Sequence, residues 1–438
     1  MSQTPSMAPP DPTAALQQAV ETERAFVVQF FDRLAEQSRA PAGGITRDTY
    51  GPGENWGHRV FHDAAVSAGF NVDTDAACNT YARWPTKDPA ARTILMGSHL
   101  DSVPSGGNFD GAAGALAGLV AMRVLRDLGM TPRCSLAAMG VRAEESVWFE
   151  VSYIGSRLAL GTLPETALDG ARRIDTGRSL ATHIAECGGD LNALRAGHRS
   201  LDPATLAGFV EVHIEQAPSL VESNKAVGIC TGIPGNFRYP NARIIGQHGH
   251  VGTPRRFRHD AMMAGAAFAA EMDAYWAERE AEGTPLAMTF GRFHTDGDHH
   301  GLTTVPGLFH FSLDVRAYDE SVLTQIGAEM TRIIARLENR YKVTFEMGAR
   351  AAAPVGTMAP DITTALTKSA ERHGVTHMPL GSPASHDAAA FAAAGVPTAM
   401  IFVRNENGSH NPAEAMEIDD FLSACTVLVD WLAHTWME

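Results

Sequence analysis

A handful of residues in this 438-residue chain have the types and spacing to hold metal ions. His99 and Asp101 flank one residue, Asp110 follows shortly after, Glu144 and Glu145 are adjacent, and His213 and His410 complete the group. Three imidazoles and several carboxylates form a mixed nitrogen and oxygen donor set. Such a set suits Zn²⁺, Mn²⁺ or Co²⁺ rather than a thiolate site. With 18 histidines in the chain, any one of them says little. An adjacent Glu pair is more often a solvated face than a site. What distinguishes these residues is that they follow apolar runs.

Those runs are the elements that must position them. The segment 93–97 (TILMG) precedes His99 and Asp101, and an Ala/Leu/Val helix at 111–128 begins just after Asp110. The run 134–141 leads into Glu144 and Glu145, 208–214 contains His213, and 397–403 leads to His410. Strands alternating with helices predict an α/β fold with a mixed, largely parallel sheet flanked by helices. In open α/β sheets ligands bind beyond the carboxyl ends of strands, so one sheet edge collects the donors. Upstream, the apolar spacing predicts a helix over 14–38 and a second near 55–69, separated by a Gly/Pro-rich stretch.

The middle of the chain reads differently. A strand at NARIIGQ, a helix over roughly 259–281 and strands at LAMTFGRFH and LFHFSLDVRA are followed by a helix over 319–338 and a strand at KVTFEM. The order βαββαβ is that of a ferredoxin-like unit. The expected division is therefore 1–231 with 348–438 as one domain, 1–13 being a loose tail, and 232–347 as an insert.

Composition excludes several classes. Apolar residues at 45% and charged residues at 19% are those of a globular protein. A net charge of −15 without a basic run argues against nucleic acid and anionic membrane as partners. No apolar stretch reaches membrane-spanning length, and the N-terminal segment lacks the pattern of a secretory signal. Five dispersed cysteines imply reduced thiols and a cytoplasmic location.

The segments GSHLDSVPSGGNFDGAAG (97–114), RAEESVWFEVSYIGSRLALG (142–161), EVHIEQAPSLVE (211–222) and GSHNPAE (408–414) resemble the M20-type metallopeptidases and amidohydrolases. Within that group they resemble the branch of N-carbamoyl-L-amino-acid hydrolases, β-ureidopropionases and allantoate amidohydrolases. The resemblance runs from about residue 50 to the C-terminus. It implies two divalent ions, zinc foremost, with manganese or cobalt as alternatives. His99, Asp110 and His213 would hold one ion; Asp110, Glu145 and His410 would hold the other, Asp110 bridging. Asp101 would fix the His99 ring. Glu144, pointing away from its neighbour, would move the proton between water and leaving nitrogen. Gln216, His250, Arg316 and His386 match the family's pattern. Arg316 would pair with a substrate carboxylate, and His250 would stabilise the developing oxyanion, with His248 its competitor. His386 fits a structural hydrogen bond equally well.

Three departures set this chain apart. Thr303 stands where the branch usually has Asn, Trp148 where Arg is common, and the stretch HVGTP is one residue short. These changes predict a less polar substrate pocket. The expected substrate is a small ureido or amide compound bearing a carboxylate, with the insert acting as lid and homodimer contact. An aminoacylase or dipeptidase is the nearest rival. A non-catalytic binding module is the distant one, since every candidate ligand and Glu144 are present.

Overall fold

The computed structural model describes residues 12–88 and 90–438, so most of the expected N-terminal tail lies outside the described residues. The chain divides into two compact units: the residues up to Thr231 together with Thr357–Glu438, and Gly232–Gly356.

In the first unit, four parallel strands form the middle of a mixed sheet, in the order Ser135–Val141, Thr93–His99, Leu206–Ile214, Thr398–Val403. Antiparallel strands flank them: Asn71–Thr74 and Thr80–Trp84 on one side, Val227–Ile233 on the other. The central strands are buried almost throughout, which is why they read as continuous apolar runs rather than as alternation. The Ala112–Asp127 helix packs on them. Its small residues let it come close: a Cβ at Gly114 would stand 2.1 Å from the Val212 carbonyl oxygen. That approach presses the helix start, and with it Asp110, against the strand ends. Leu116, Leu119, Val120 and Leu125 are fully buried there, and burying each such side chain stabilises by roughly 1.5–3 kcal/mol. The Ile418–Trp436 helix shares this core.

The helix expected over 14–38 is two, Pro12–Thr22 and Arg24–Glu36. Between them sits Glu23, whose buried carboxylate accepts from Arg123 at 2.6 Å. All five cysteines are free. Among the described residues no helix is long and apolar enough to cross a membrane.

The second unit has an antiparallel sheet in the order Phe293–Thr295, Leu308–Ala317, Gly235–Ile245, Thr344–Glu346. Burial alternates along Leu308–Ala317, the period-2 signature of a strand with one covered face. The helices Ala261–Ala281 and Glu320–Tyr341 share the core formed by Phe268, Phe311, Val315, Ile326 and Ile333. The Gly235–Ile245 strand runs straight through Pro240. Pairing skips from Tyr239↔Leu313 to Ala242↔Phe311, leaving Pro240 and Asn241 opposite Ser312 in a bulge. A bulge is where a proline, lacking its N–H, does least harm to a ladder. The LAMTFGRFH segment is broken into Leu286–Thr289 and Phe293–Thr295 at the same level, where Arg292 and Ser312 exchange hydrogen bonds. The unit runs past residue 347 because Ala351–Ala353 pairs with the Gly235–Ile245 strand.

Candidate metal centre

The four central strands deliver the donors to one edge of the sheet. His99 is the last residue of its strand, His213 the penultimate residue of its own, and Glu145 and His410 lie in the loops that follow the other two. His99, Asp110 and His213 place ligand atoms within 4.8 Å of one another, and so do Asp110, Glu145 and His410. Asp110 belongs to both groups.

Proton accounting shows why this cluster fits cations. His213 Nδ1 lies 2.8 Å from the Ile214 carbonyl oxygen, and His99 Nδ1 lies 3.1 Å from that of Asp101. A carbonyl only accepts, so each neutral ring carries its proton on Nδ1 and turns a lone pair out at Nε2. The two Nε2 atoms face each other at 3.4 Å. Asp110 Oδ1 stands 3.1 Å from His213 Nε2 and 3.5 Å from His99 Nε2, buried and with no hydrogen-bond donor of its own. Three acceptors converge with no proton between them, an arrangement that a positive ion resolves. On the other side His410 Nε2 is 3.4 Å from both Asp110 Oδ2 and Glu145 Oε1.

The electrostatics agree. Burial and the charge of Asp110 push Glu145 up to about 7. Burial also lifts Glu144 well above the carboxylate range, with Glu145 adding to the effect. Hydrogen bonding to Asp110 raises His410 to about 9. Burial alone would lower His99, yet Asp101 and Asp110 hold it well above its usual value. These four shifts favour the protonated forms, whereas Asp110 goes the other way: against its burial, His213, His410 and His99 hold it well below the carboxylate range.

Asp101 holds the loop. Its Oδ1 accepts the Glu144 N–H at 3.1 Å, its Oδ2 the Glu145 N–H at 3.2 Å and the Thr49 hydroxyl at 2.5 Å. It reaches His99 mainly through its main-chain oxygen, the carboxylate being farther away at 3.4 Å. Ala143, Gln216 and His410 adopt left-handed backbone (φ 58, 65 and 61), uncommon without glycine, and all three lie at this sheet edge. Gly111 (φ 67) lies against the His99 ring, and a Cβ there would come within 2.5 Å of it. Gly111→Ala is therefore expected to displace the ring and lower turnover by about 10²-fold. Rate and metal content measured together check this; wild-type values for both would contradict it.

Several residues depart from their expected roles. Gln216, expected at substrate, donates its amide to Asp110 Oδ2 at 2.8 Å. Trp148 does not line an open pocket. It is buried in a satellite core with Phe149, Ile154 and Leu180, its indole N–H given to the Ser102 carbonyl at 2.9 Å and the Arg173 guanidinium over its ring. His386 is buried with its ring 4.3 Å from that of His213, and burial holds it well below the usual imidazole range. Glu211, His213 and His386 also fall within reach of one ion. His213, however, has only one ring nitrogen free, and that nitrogen faces Asp110.

In the second unit, His250 is exposed on a two-residue ladder opposite Thr304, and Val251 donates its N–H to the Thr303 carbonyl. Arg316 is half-buried and already paired with Asp314, at 3.1 and 3.3 Å. A substrate carboxylate would compete with that pair.

Sequence reasoning missed the supports. The buried Arg47 donates to the Leu100 and Asp110 carbonyls, at 2.7 and 3.1 Å. The Ser409 hydroxyl, with one proton to give, lies within hydrogen-bond distance of both Asp110 Oδ2 and Glu414 Oε2, and Glu414 Oε1 accepts the N–H groups of Phe109 and Asp110. Glu211 accepts from Ser98 at 2.5 Å, and Asp387 accepts from Ser156 at 2.6 Å. Glu211 had a signal: two residues before His213 on a strand, it shares that residue's face.

Residues 95–434 match the family model described as peptidase family M20/M25/M40. The chain belongs to this family. The M20 chain is 33% identical over 412 residues to the N-carbamoyl-L-amino acid amidohydrolase of Geobacillus stearothermophilus, covering 92% of this chain and 95% of the relative. It is 29% identical over 393 residues to the allantoate amidohydrolase of Escherichia coli K12, covering 89% and 92%. Among solved structures, a hydantoinase/carbamoylase family amidase from Burkholderia ambifaria superposes with a TM-score of 0.79 at 27% identity, covering 95% of this chain and 98% of that one. The M20 family implies divalent metal ions, and the candidate centre has the donors for them.

Proposed function

We propose that this M20 hydrolase removes the carbamoyl group of an N-carbamoyl amino acid or a related ureido acid, using two divalent cations. The observation that carries the reading is the convergence of two imidazole lone pairs on the orphaned Asp110 Oδ1, beside Glu144. The named activities of the relatives support the substrate class.

His99, Asp110 and His213 would hold one ion, and Asp110, Glu145 and His410 the other. Bound there, the cations supply Lewis acidity and lower the pKa of water toward neutrality. Zinc is favoured by affinity for imidazole and carboxylate, with manganese and cobalt as alternatives. The chain's own residues do the rest. Glu144, its N–H anchored on Asp101, takes a proton from the attacking water and delivers it to the leaving nitrogen. Water oxygen joins the carbamoyl carbon, the bond from that carbon to the amino-acid nitrogen breaks, and the carbamate left behind decays to CO₂ and ammonia. Arg47 and the Ser409–Glu414 pair keep Asp110 in place. Exposed Val251, Phe257 and Leu302 support assigning subunit contact to the second unit.

The test is release of the free amino acid, followed as new primary amine, from a panel of N-carbamoyl amino acids, ureido acids, N-acyl amino acids and dipeptides, with metal-loaded protein. Turnover of the ureido compounds is expected to exceed the others by at least about tenfold, roughly 1.4 kcal/mol in transition-state binding. Preference for N-acyl or dipeptide substrates would overturn the assignment.

A further inference from the structure

We infer that the second unit carries a transition-metal site of its own, built by His248, Asp296 and His299. Their ligand atoms lie within 4.8 Å of one another, and none of the three belongs to the centre described above.

The sequence HTDGDHHG makes a tight turn in which the N–H groups of His299 and His300 both point at the Asp296 carbonyl, at 3.3 and 3.0 Å. That turn puts Asp296 and His299 on one side, three residues apart. Asp298 N–H donates to Asp296 Oδ1 at 3.2 Å, and His299 Nδ1 donates to Oδ2 at 2.6 Å. With its proton committed to a carboxylate, the His299 ring offers Nε2 as a lone pair, the arrangement in which a second-shell acid raises the basicity of a histidine ligand.

His248 approaches from a different segment. Its ring lies 5.3 Å from the His299 ring, inclined by 34°. Gly307 permits the approach, because a Cβ there would meet His248 N at 2.2 Å and its ring at 2.9 Å. Among the described residues, the bond holding the His248 ring is a donation from Gly307 N–H to Nδ1 at 3.1 Å, which taking up a cation at that nitrogen would cost.

Two imidazoles, one of them backed by the Asp296 carboxylate, suit Zn²⁺, Ni²⁺ or Cu²⁺ and do not suit Ca²⁺ or Mg²⁺. His248 and His299 are exposed, so an ion can enter and leave the folded protein, with water completing its shell. The two arms have a purpose in the fold. His248 immediately precedes the Gly249–His250 strand, and the Asp296–His300 turn precedes the Thr304–Val305 strand that pairs with it. A bound ion would therefore tie His248, which adjoins the Gly249↔Val305 end of this ladder, to the turn that leads into Thr304 at its other end.

Zinc per chain, measured by mass spectrometry after equilibrium dialysis of the full-length protein at micromolar Zn²⁺, tests the inference. Wild type is expected to hold one ion more per chain than either His299→Ala or His248→Ala. The double variant should lose no more than either single one, because all three remove the same ion. Asp296→Asn should weaken that ion by about 10- to 100-fold while keeping both imidazoles. The His299 side chain is 64% exposed, so its removal leaves the core intact, which circular dichroism verifies. Equal zinc content in wild type and His299→Ala would overturn the site. So would loss of the ion on replacing His299 together with its full retention in His248→Ala. Since the readout is a difference in stoichiometry, it does not depend on the reaction proposed for the other centre.

Discussion

Glu144→Gln is expected to lower kcat by about 10²- to 10⁴-fold, the range that a positioned proton-transfer group contributes. Metal content and substrate affinity should stay close to wild type. The side chain keeps its length, and the main-chain bond from residue 144 to Asp101 does not involve the carboxylate. Glutamine can occupy the same volume and offer a hydrogen bond, but it cannot accept the proton from water and pass it on. The surroundings are made for a group that both takes and gives. Burial and the adjacent Glu145 raise the Glu144 carboxyl well above its ordinary value, the direction that helps a carboxylate take up a proton. Steady-state rates on the best ureido substrate, with elemental analysis of the same samples, decide the matter. Activity within tenfold of wild type would move the proton transfer to another residue. Loss of metal would make Glu144 a ligand instead.

The second large effect is expected at Asp110. Asp110→Asn should remove both ions together and reduce turnover by on the order of 10⁴-fold or more, since activation of water at neutral pH depends on them. The reason is geometric. One oxygen of Asp110 faces the two imidazoles and the other faces His410, so a single carboxylate serves both groups. The amide also turns N–H groups toward acceptors, replacing attraction with a cost where the ion should sit. Metal-to-protein ratios after gel filtration check this, with thermal melting to exclude a fold defect. Retention of either ion at wild-type affinity would contradict the shared role.

How much of this was legible in the sequence depended on element length. The four runs ending near His99, Glu145, His213 and His410 are parallel strands buried almost throughout, and such strands announce themselves as apolar blocks. The edge strand Asn71–Thr74 and its neighbour Thr80–Trp84 are only four and five residues long, too short to show a pattern. Arg47 and Thr49 lie in a Gly- and Pro-rich stretch whose course depends on distant partners, Leu100, Asp101 and Asp110. No local periodicity encodes such contacts. Trp148 was misjudged for a related reason. Its place in the family pattern, where Arg is common, suggested a pocket wall, but the satellite core around Phe149 and Ile154 packs its face and the Ser102 carbonyl takes its N–H. Gln216 shows the reverse: the motif pointed to the right neighbourhood, and only coordinates could name Asp110 as its partner.

One carboxylate in this molecule holds two different roles at once. Asp101 grips the consecutive amides of Glu144 and Glu145 while taking the Thr49 hydroxyl. Proton delivery and cation retention thus hang from the same peg, and a shift of that peg moves both at once. Evolution cannot retune one without disturbing the other. Adaptation to new substrates in such a lineage has to proceed through segments that do not touch this anchor, leaving the loop at 143–145 as its least negotiable part.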